Sequence, residues 1–248
     1  MGELIGLYAL WYRELLVFWR EKSRVVSSLF SPLLWLVVFG SGLGASVDLK
    51  GVDYQTFIFP GILCMTVLFS SVFFGLYIIL DKRIDFFKEV IVAPLSRLTI
   101  FSGKMLGGCT DAIIQGSLLL VFGVFFGIHY SILNVGLALV FMFLLSSALV
   151  SIGLILGVLM DSHEGFNMVV SFLVFPMFFL SGALFPLDNL PGWLKTIALL
   201  DPMTYAVDGV RGALLGINRV PLFYDFMIMC VFSAVMIFLG TLSFRRLK

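Results

Sequence analysis

Long apolar blocks separated by short polar ones run the length of this chain. The runs 25–45, 57–80, 105–127, 135–160, 165–184 and 223–243 each come close to the roughly 20 residues a helix needs to cross hydrocarbon. They predict an all-α polytopic membrane protein with six transmembrane helices in a single domain. Only His129, Tyr130, Ser131 and Asn134 interrupt the apolar sequence between the third and fourth runs, which predicts a tight turn there. Pro32 and Pro176 fall within runs and predict kinks of the kind neighbouring helices in a bundle accommodate.

The segment 1–24 follows a different rule. Its apolar residues are interleaved with Glu3, Arg13, Glu14, Arg20, Glu21 and Lys22, and no small-residue cleavage site follows, so it does not read as a cleaved signal. Leu4, Tyr8, Trp11, Tyr12, Leu15 and Trp19 recur at helical spacing. This predicts an amphipathic helix lying in the inner interface, where Trp and Tyr settle well. A frayed N-terminal tail is the alternative.

The polar blocks carry the remaining information. In 81–104, residues 81–92 predict a short helix that Ala93-Pro94 ends, because the residue before a proline is pushed out of helical geometry. Phe86 and Phe87 sit there among Lys82, Arg83, Asp85, Lys88 and Glu89. A connection between two spans needs only a few residues, and apolar side chains in it are normally wasted on water. Two readings account for them: a knob pressed into a partner's groove and ringed by charges that set register, or rings dipping into the lipid interface.

The block 185–222 holds Pro186, Pro191, Pro202 and Pro221, yet LPGWLKTIALL and PMTYAVDGVRGALL between them are too apolar for a solvated loop. Asp201 is a helix cap with Pro202 at the first helical position and Gly216 at the end. That helix is too short to cross a bilayer, so short re-entrant or flat-lying outer helices are predicted. Asp208 and Arg211 stand three residues apart and are expected to pair, lowering the cost of charge near lipid.

Charge then sets the orientation. With the N-terminus inside, twelve of the 16 basic residues fall on inner segments, and only Lys50, Lys195, Arg211 and Arg219 fall outside. Both termini are therefore expected in the cytoplasm. Charged residues make up 12% of the chain, with 16 basic against 15 acidic, which leaves no footprint for nucleic acid. Cys64, Cys109 and Cys230 lie in apolar runs and read as small core residues, with neither a disulfide framework nor a metal site implied.

Three stretches together resemble the ABC-2 type transporter permeases. FLSGALFPLDNLPGWL followed by LDPMTYAVDGVRGALLG is similar to that family's signature before the last span. VAPLSRLTIFSGKML is similar to its segment between spans two and three, and PLLWLVVFGSGLG to its first span. The match rests on Pro94, Ser96, Arg97, Gly103 and Lys104, and on Pro186, Pro191, Pro202, Tyr205 and Arg211, and departs at Asp201, where Asn is commoner.

The resemblance implies a permease subunit in the inner, plasma membrane of a prokaryote. Two copies would join two separate ABC ATPase subunits in an exporter of drug-like or lipid-like cargo. A coupling helix within 80–92 would meet the ATPase through Lys82, Arg83, Asp85, Phe86, Phe87, Lys88 and Glu89, with Pro94 and Arg97 beside it. Pro191, Trp193, Asp201, Pro202, Tyr205, Asp208 and Arg211 would build the paired outer helices. No G-x-x-x-x-G-K-[ST] loop is present, so no cofactor is expected in this chain itself; ATP and Mg would belong to the partner subunit.

Other features invite a role. Lys104, Asp111 and Gln115 share a face of the third span and are pathway candidates; Asp111 reads equally as an interfacial acid paired with an Arg. His163 and Glu164 read as a solvated turn. Gly40/Gly44, Gly103/Gly107, Gly123/Gly127, Gly153/Gly157 and Gly212/Gly216 are G-x-x-x-G pairs, of which chance supplies some. H-E-x-x-H and G-x-S-x-G are absent, and no internal repeat suggests a secondary transporter. An ATP-independent scramblase or channel is the rival reading.

Overall fold

The computed structural model describes residues 2–44, 53–128 and 130–245. Expectations resting on Lys50, His129, Arg246, Lys248 and the side chain of Lys88 lie outside the described residues. The described chain is helical, in the order α1 Gly2–Arg20, α2 Lys22–Gly44, α3 Tyr54–Phe73, α4 Leu76–Arg83, α5 Phe86–Val92 and α6 Arg97–Phe125. There follow α7 Ile132–Leu159, α8 His163–Leu180, a single 3-10 turn at Leu187–Asn189, α9 Gly192–Leu200, α10 Pro202–Leu215 and α11 Leu222–Arg245. The protein is all-α and polytopic. Five helical stretches are long and apolar enough to cross a membrane, α3 running into α4 as one of them, whereas the apolar part of α2, Val26–Gly42, is shorter.

The helices begin where short polar side chains can take up their unpaired amides. Asp53, Ser96, Ser131 and Ser162 accept from the amides of Thr56, Thr99, Asn134 and Gly165 at 3.3, 3.2, 3.3 and 3.0 Å. Pro32 and Pro176 lie inside α2 and α8 as predicted, and Pro60 lies inside α3.

α3 and α7 form the centre and are the most enclosed of the long helices, while α8 and α11 are the least enclosed. α7 packs against α3, α6, α10 and α11. Between α7 and the α3–α4 junction the two backbones touch, because glycines face each other. A Cβ on Gly75 would lie 1.9 Å from the Gly153 carbonyl oxygen, and one on Gly153 would lie 2.3 Å from the Val72 carbonyl oxygen. Small residues allow this close approach where no hydrophobic effect drives helices together in lipid. The Gly153/Gly157 pair is thus a packing seat, with Gly157 against the Gly75 carbonyl.

Two apolar clusters follow. The larger gathers α3, α7, α8 and α10 around residues such as Ile62, Leu145 and Val207. The smaller joins α1, α5, α6 and α11 through Leu10, Phe87, Phe101 and Phe244.

Gly153→Ala is expected to force α7 away from Val72, destabilising the protein by about 1–3 kcal/mol as an overpacked core does. Gly42→Ala, where an added Cβ meets nothing within 4 Å, is expected to leave stability unchanged or slightly raised. Thermal unfolding of the detergent-solubilised variants checks both.

Candidate functional site

Four charged side chains meet where α1, the end of the α3–α4 stretch and α6 converge. The Lys104 ammonium is fully buried and donates to Glu14 Oε1 at 2.9 Å and Asp81 Oδ2 at 2.6 Å. Arg13 donates to Glu14 Oε1 at 2.7 Å and forks onto both oxygens of Asp81 at 2.8 and 3.2 Å. Two cations and two carboxylates leave the group neutral. That balance is what allows it in a low-dielectric place, since each ion's lost hydration is answered by an opposite charge within hydrogen-bond reach. Burial disfavours the Arg13 cation, but the carboxylates of Asp81 and Glu14 outweigh it and hold its pKa above the ordinary value.

α1 is seated on α6 by shape as well as charge. A Cβ on Gly103 would lie 2.8 Å from that of Leu10, and one on Gly107 would lie 2.6 Å from that of Glu14. The Gly103/Gly107 pair is therefore a groove for α1. Trp11 Nε1 donates to Thr110 Oγ1 at 3.0 Å. At the start of α1, Glu3 accepts from the Ser96 amide at 2.9 Å and from the hydroxyls of Ser96 and Thr99. The Thr99 hydrogen bond, with those from Ser96, holds the Glu3 carboxyl below its usual range. The aromatic stripe Tyr8, Tyr12 and Trp19 faces outward, and the packed face is Leu10, Glu14 and Phe18.

The stretch 81–92 is two pieces, not one helix. α4 ends at Arg83, Asp85 takes a left-handed conformation at φ 57°, and α5 begins at Phe86. The expectation of an outward Phe86-Phe87 knob is corrected. Phe87 is 3% exposed and packs edge-on to Phe244, and Phe86 lies beneath the Arg13 guanidinium, 4.0 Å from its ring centre. Both rings find apolar or cationic partners in the chain itself, so neither is left to reach outward.

Lys82 donates to the carbonyls of Val158 and Met160 at 2.7 and 3.1 Å, closing the C-terminal end of α7, and to Asp161 at 3.2 Å. Arg97 donates to the Ile91 carbonyl at 2.9 Å and closes α5. What remains outward is Arg83, Asp85, Glu89 and Pro94 with two apolar residues, Ile84 at 70% and Val92 at 83% exposed.

At the other end, α9 and α10 form the expected pair of short helices. Pro191 precedes α9, and Trp193 on it is exposed. Asp201 accepts from the Met203 amide at 2.9 Å with Pro202 at the first position of α10, and Gly216 ends that helix in a left-handed conformation. Tyr205 donates to the Leu199 carbonyl at 2.8 Å and fastens the corner between them.

The expected pairing of Asp208 with Arg211 is corrected. Asp208 accepts from the amides of Arg219 and Val220 at 2.9 and 3.0 Å, while Arg211 donates to the Gly182 carbonyl at 2.9 Å and stacks over Phe57 at 4.0 Å. Backbone groups at helix ends supply these partners, so the two charges need not meet. Burial lowers the Arg211 pKa to about 10, countered by Asp208, and the residue remains a cation at neutral pH.

Of the three pathway candidates on α6, Lys104 is consumed by the network and Asp111 is buried. Gln115 lines a cavity of about 270 Å³ between α2, α3 and α6, bounded also by Ser28, Ser31, Pro32, Met65, Thr66, Phe69, Ser70 and Phe73. Sequence reasoning missed Arg13, Glu14 and Asp81 as a unit, although one signal was present: Glu14 stands midway between Leu10 and Phe18 at four-residue spacing, an acid inside an apolar stripe.

An α-helical bundle of this kind, with a buried charge cluster at one end and short helices at the other, is a polytopic membrane protein. The chain belongs to the ABC-2 type transporter family, whose sequence pattern matches residues 6–215. It is 30% identical over 240 residues to the inner membrane transport permease YadH of Escherichia coli, covering 92% of this chain and 90% of that one. It is 32% identical over 197 residues to a putative transport permease, ycf38, of Cyanophora paradoxa (77% and 68% covered). Nodulation protein J of Rhizobium leguminosarum bv. trifolii is 26% identical over 250 residues (99% and 95%).

Two outcomes are expected from these contacts. Lys104→Met leaves two buried carboxylates short of a partner and is expected to cost about 3–5 kcal/mol, lowering the melting temperature by roughly 10 °C. Adding Glu14→Gln and Asp81→Asn is expected to recover most of that, because Arg13 alone reaches water; an equally unstable triple variant would show that charge balance is not what matters.

Burial raises the Asp201 carboxyl to about 7, partly offset by the Met203 amide, and its Oδ2 has no hydrogen-bond partner. The folded protein holds that proton more tightly than the unfolded chain, so stability is full below about pH 4 and declines as pH rises to 7. Asp201→Asn keeps an acceptor for Met203 and removes this slope. It is expected to match the native protein at pH 4 and exceed it at pH 8, on the order of 2 kcal/mol, in thermal melts at the two pH values.

Proposed function

We propose that this chain is the membrane-spanning half of an ATP-driven exporter, moving a hydrophobic or lipid-linked substrate outward with ATP hydrolysed by a separate ABC ATPase subunit. Two copies of the permease join two ATPases, and the end carrying α1 and α5 faces the cytoplasm, with both termini there. The membrane is the inner, plasma membrane of a prokaryote. Family membership supports the ATPase partner, and the distribution of basic residues supports the orientation.

The observation that carries the mechanical part is the charge network beside α5. Arg13 touches Phe86 of α5, Asp81 of α4 and Glu14 of its own helix, and Lys104 joins these to α6. A push on the exposed face of Arg83, Ile84, Asp85, Glu89 and Val92 therefore acts on α1, α3 and α6 together. Because α3 and α7 are locked backbone to backbone, the push translates into rigid-body rocking of the bundle, not bending of one helix. Ile84 and Val92 replace Phe86 and Phe87 as the apolar contacts, with Arg83 and Glu89 setting register.

Single cysteines at Ile84 and Val92 are expected to cross-link to a co-expressed ATPase; cross-links only within the permease or to lipid would remove the docking assignment. Arg83→Glu with Glu89→Lys is expected to cut coupled ATPase activity at least ten-fold with the melting temperature unchanged. In vesicles, the permease without its ATPase is expected to leave a fluorescent lipid analogue where it is. Movement of that lipid without ATP would favour a scramblase or channel.

A further inference from the structure

The cavity between α2, α3 and α6 has a chemistry of its own. Among the described residues, none that lines it is charged. Its polar lining consists of the hydroxyls of Ser28, Ser31, Thr66 and Ser70 and the carboxamide of Gln115, set against the rings of Phe69 and Phe73. Gln115 is 1% exposed, and its Nε2 donates to Ser70 Oγ at 2.9 Å, but its Oε1 has no hydrogen-bond partner. Thr66 donates its own proton to the Ile62 carbonyl at 3.0 Å and so presents lone pairs alone. A buried acceptor left unpaired costs free energy, and that cost is relieved by an O–H or N–H donor from outside.

We propose that this cavity binds the uncharged, hydroxyl-bearing head of an amphiphile, a sugar or polyol on a hydrocarbon tail, with Gln115 Oε1 and Thr66 Oγ1 accepting from its hydroxyls. The inference deepens the export reading above and rests on it for the word substrate, though the binding itself does not. Size agrees: about 270 Å³ lies just under the range of roughly 300–1,000 Å³ for drug-sized pockets and suits a single ring. Aromatic faces beside hydroxyls suit a sugar, whose C–H face is apolar and whose edge is polar. Among the described residues, a phosphate or sulfate head finds no cation in the lining, since Lys104 is held by Glu14 and Asp81.

The test uses the permease with its ATPase in phosphatidylcholine nanodiscs, without nucleotide. Three radiolabelled probes of equal chain length are titrated below their micellar concentrations: dodecyl glucoside, dodecylphosphocholine and dodecyltrimethylammonium. Saturable binding of the glucoside is expected, at least ten-fold tighter than either of the others. Gln115→Leu is expected to weaken it about ten-fold and Thr66→Val several-fold, with melting temperatures measured to show that both variants remain folded. Equal affinity for the three probes, tighter binding of the cationic probe, or native glucoside affinity in both variants overturns the proposal. The two readings fail separately. Glucoside binding with ATP-independent lipid movement spares the site and sinks the export reading, and ATP-driven movement without glucoside binding does the reverse.

Discussion

Lys104 holds one end of the bundle together because it cannot be left alone. An ammonium in a setting with no water must have its charge answered nearby, and the two carboxylates that answer it come from different helices, Glu14 of α1 and Asp81 of α4. The requirement runs both ways, since neither carboxylate is stable there without the cations. α1, which hydrophobic contact alone would let slide, is fixed in register along α6. The glycines at 103 and 107 make this possible: only with no side chain there does Glu14 come near enough for Lys104 to reach it. Steric and electrostatic demands therefore select the same alignment, the kind of agreement between levels that favours one native packing.

A second lock, at the far end, works by other means. Arg211 is as deeply placed as Lys104, yet its partners are a backbone carbonyl and an aromatic face, not carboxylates. Its attachment to Gly182 and Phe57 fastens α10 to the end of α8 and the start of α3. Asp208 fastens the chain leading into α11 through two amides. Charged ties thus occur at both ends of the bundle, while α3 and α7 are held to each other by van der Waals contact. This is the distribution expected when lipid surrounds the protein, because hydrophobic association gives little there and close packing and polar ties must supply specificity.

The sequence told which segments are helical and where several begin, because membrane thickness, capping chemistry and proline geometry act locally. Asp201, Pro202 and Gly216 stand where those rules place them. Which face of a helix turns inward was not local information. On α1 the spacing marked the aromatic stripe, of which Tyr8, Tyr12 and Trp19 point outward, but not that the helix packs through Leu10, Glu14 and Phe18. Phe86 and Phe87 looked exposed because charges flank them; α11 supplies Phe244 and α1 supplies Arg13 from more than 70 residues away. The Asp208–Arg211 pair failed for a related reason. Spacing says which side chains can meet, and the nearby carbonyls and amides that compete for them appear only once the chain is folded.

These locks also decide where the molecule can yield. The glycine contact between α3 and α7 leaves no room for either helix to shift against the other without backbone collision, since atoms already lie at van der Waals distance. α8 and α11 are less enclosed: α8 meets the centre through rings such as Phe166, whereas α11 lies along α7 with the Ser233 and Ser147 hydroxyls in contact at 2.6 Å. The cavity lined by Gln115 lies beside α3, bounded on one side by α2, whose proline interrupts its hydrogen-bond ladder. A motion that opens this cavity with α3, α6 and α7 kept in place must therefore displace α2. Because α2 follows α1 with only Glu21 between them, the charge network that fixes α1 also limits how far the near end of α2 can travel. Movement of α2 is thus tethered at its α1 end, and any swing must grow with distance from the buried Lys104.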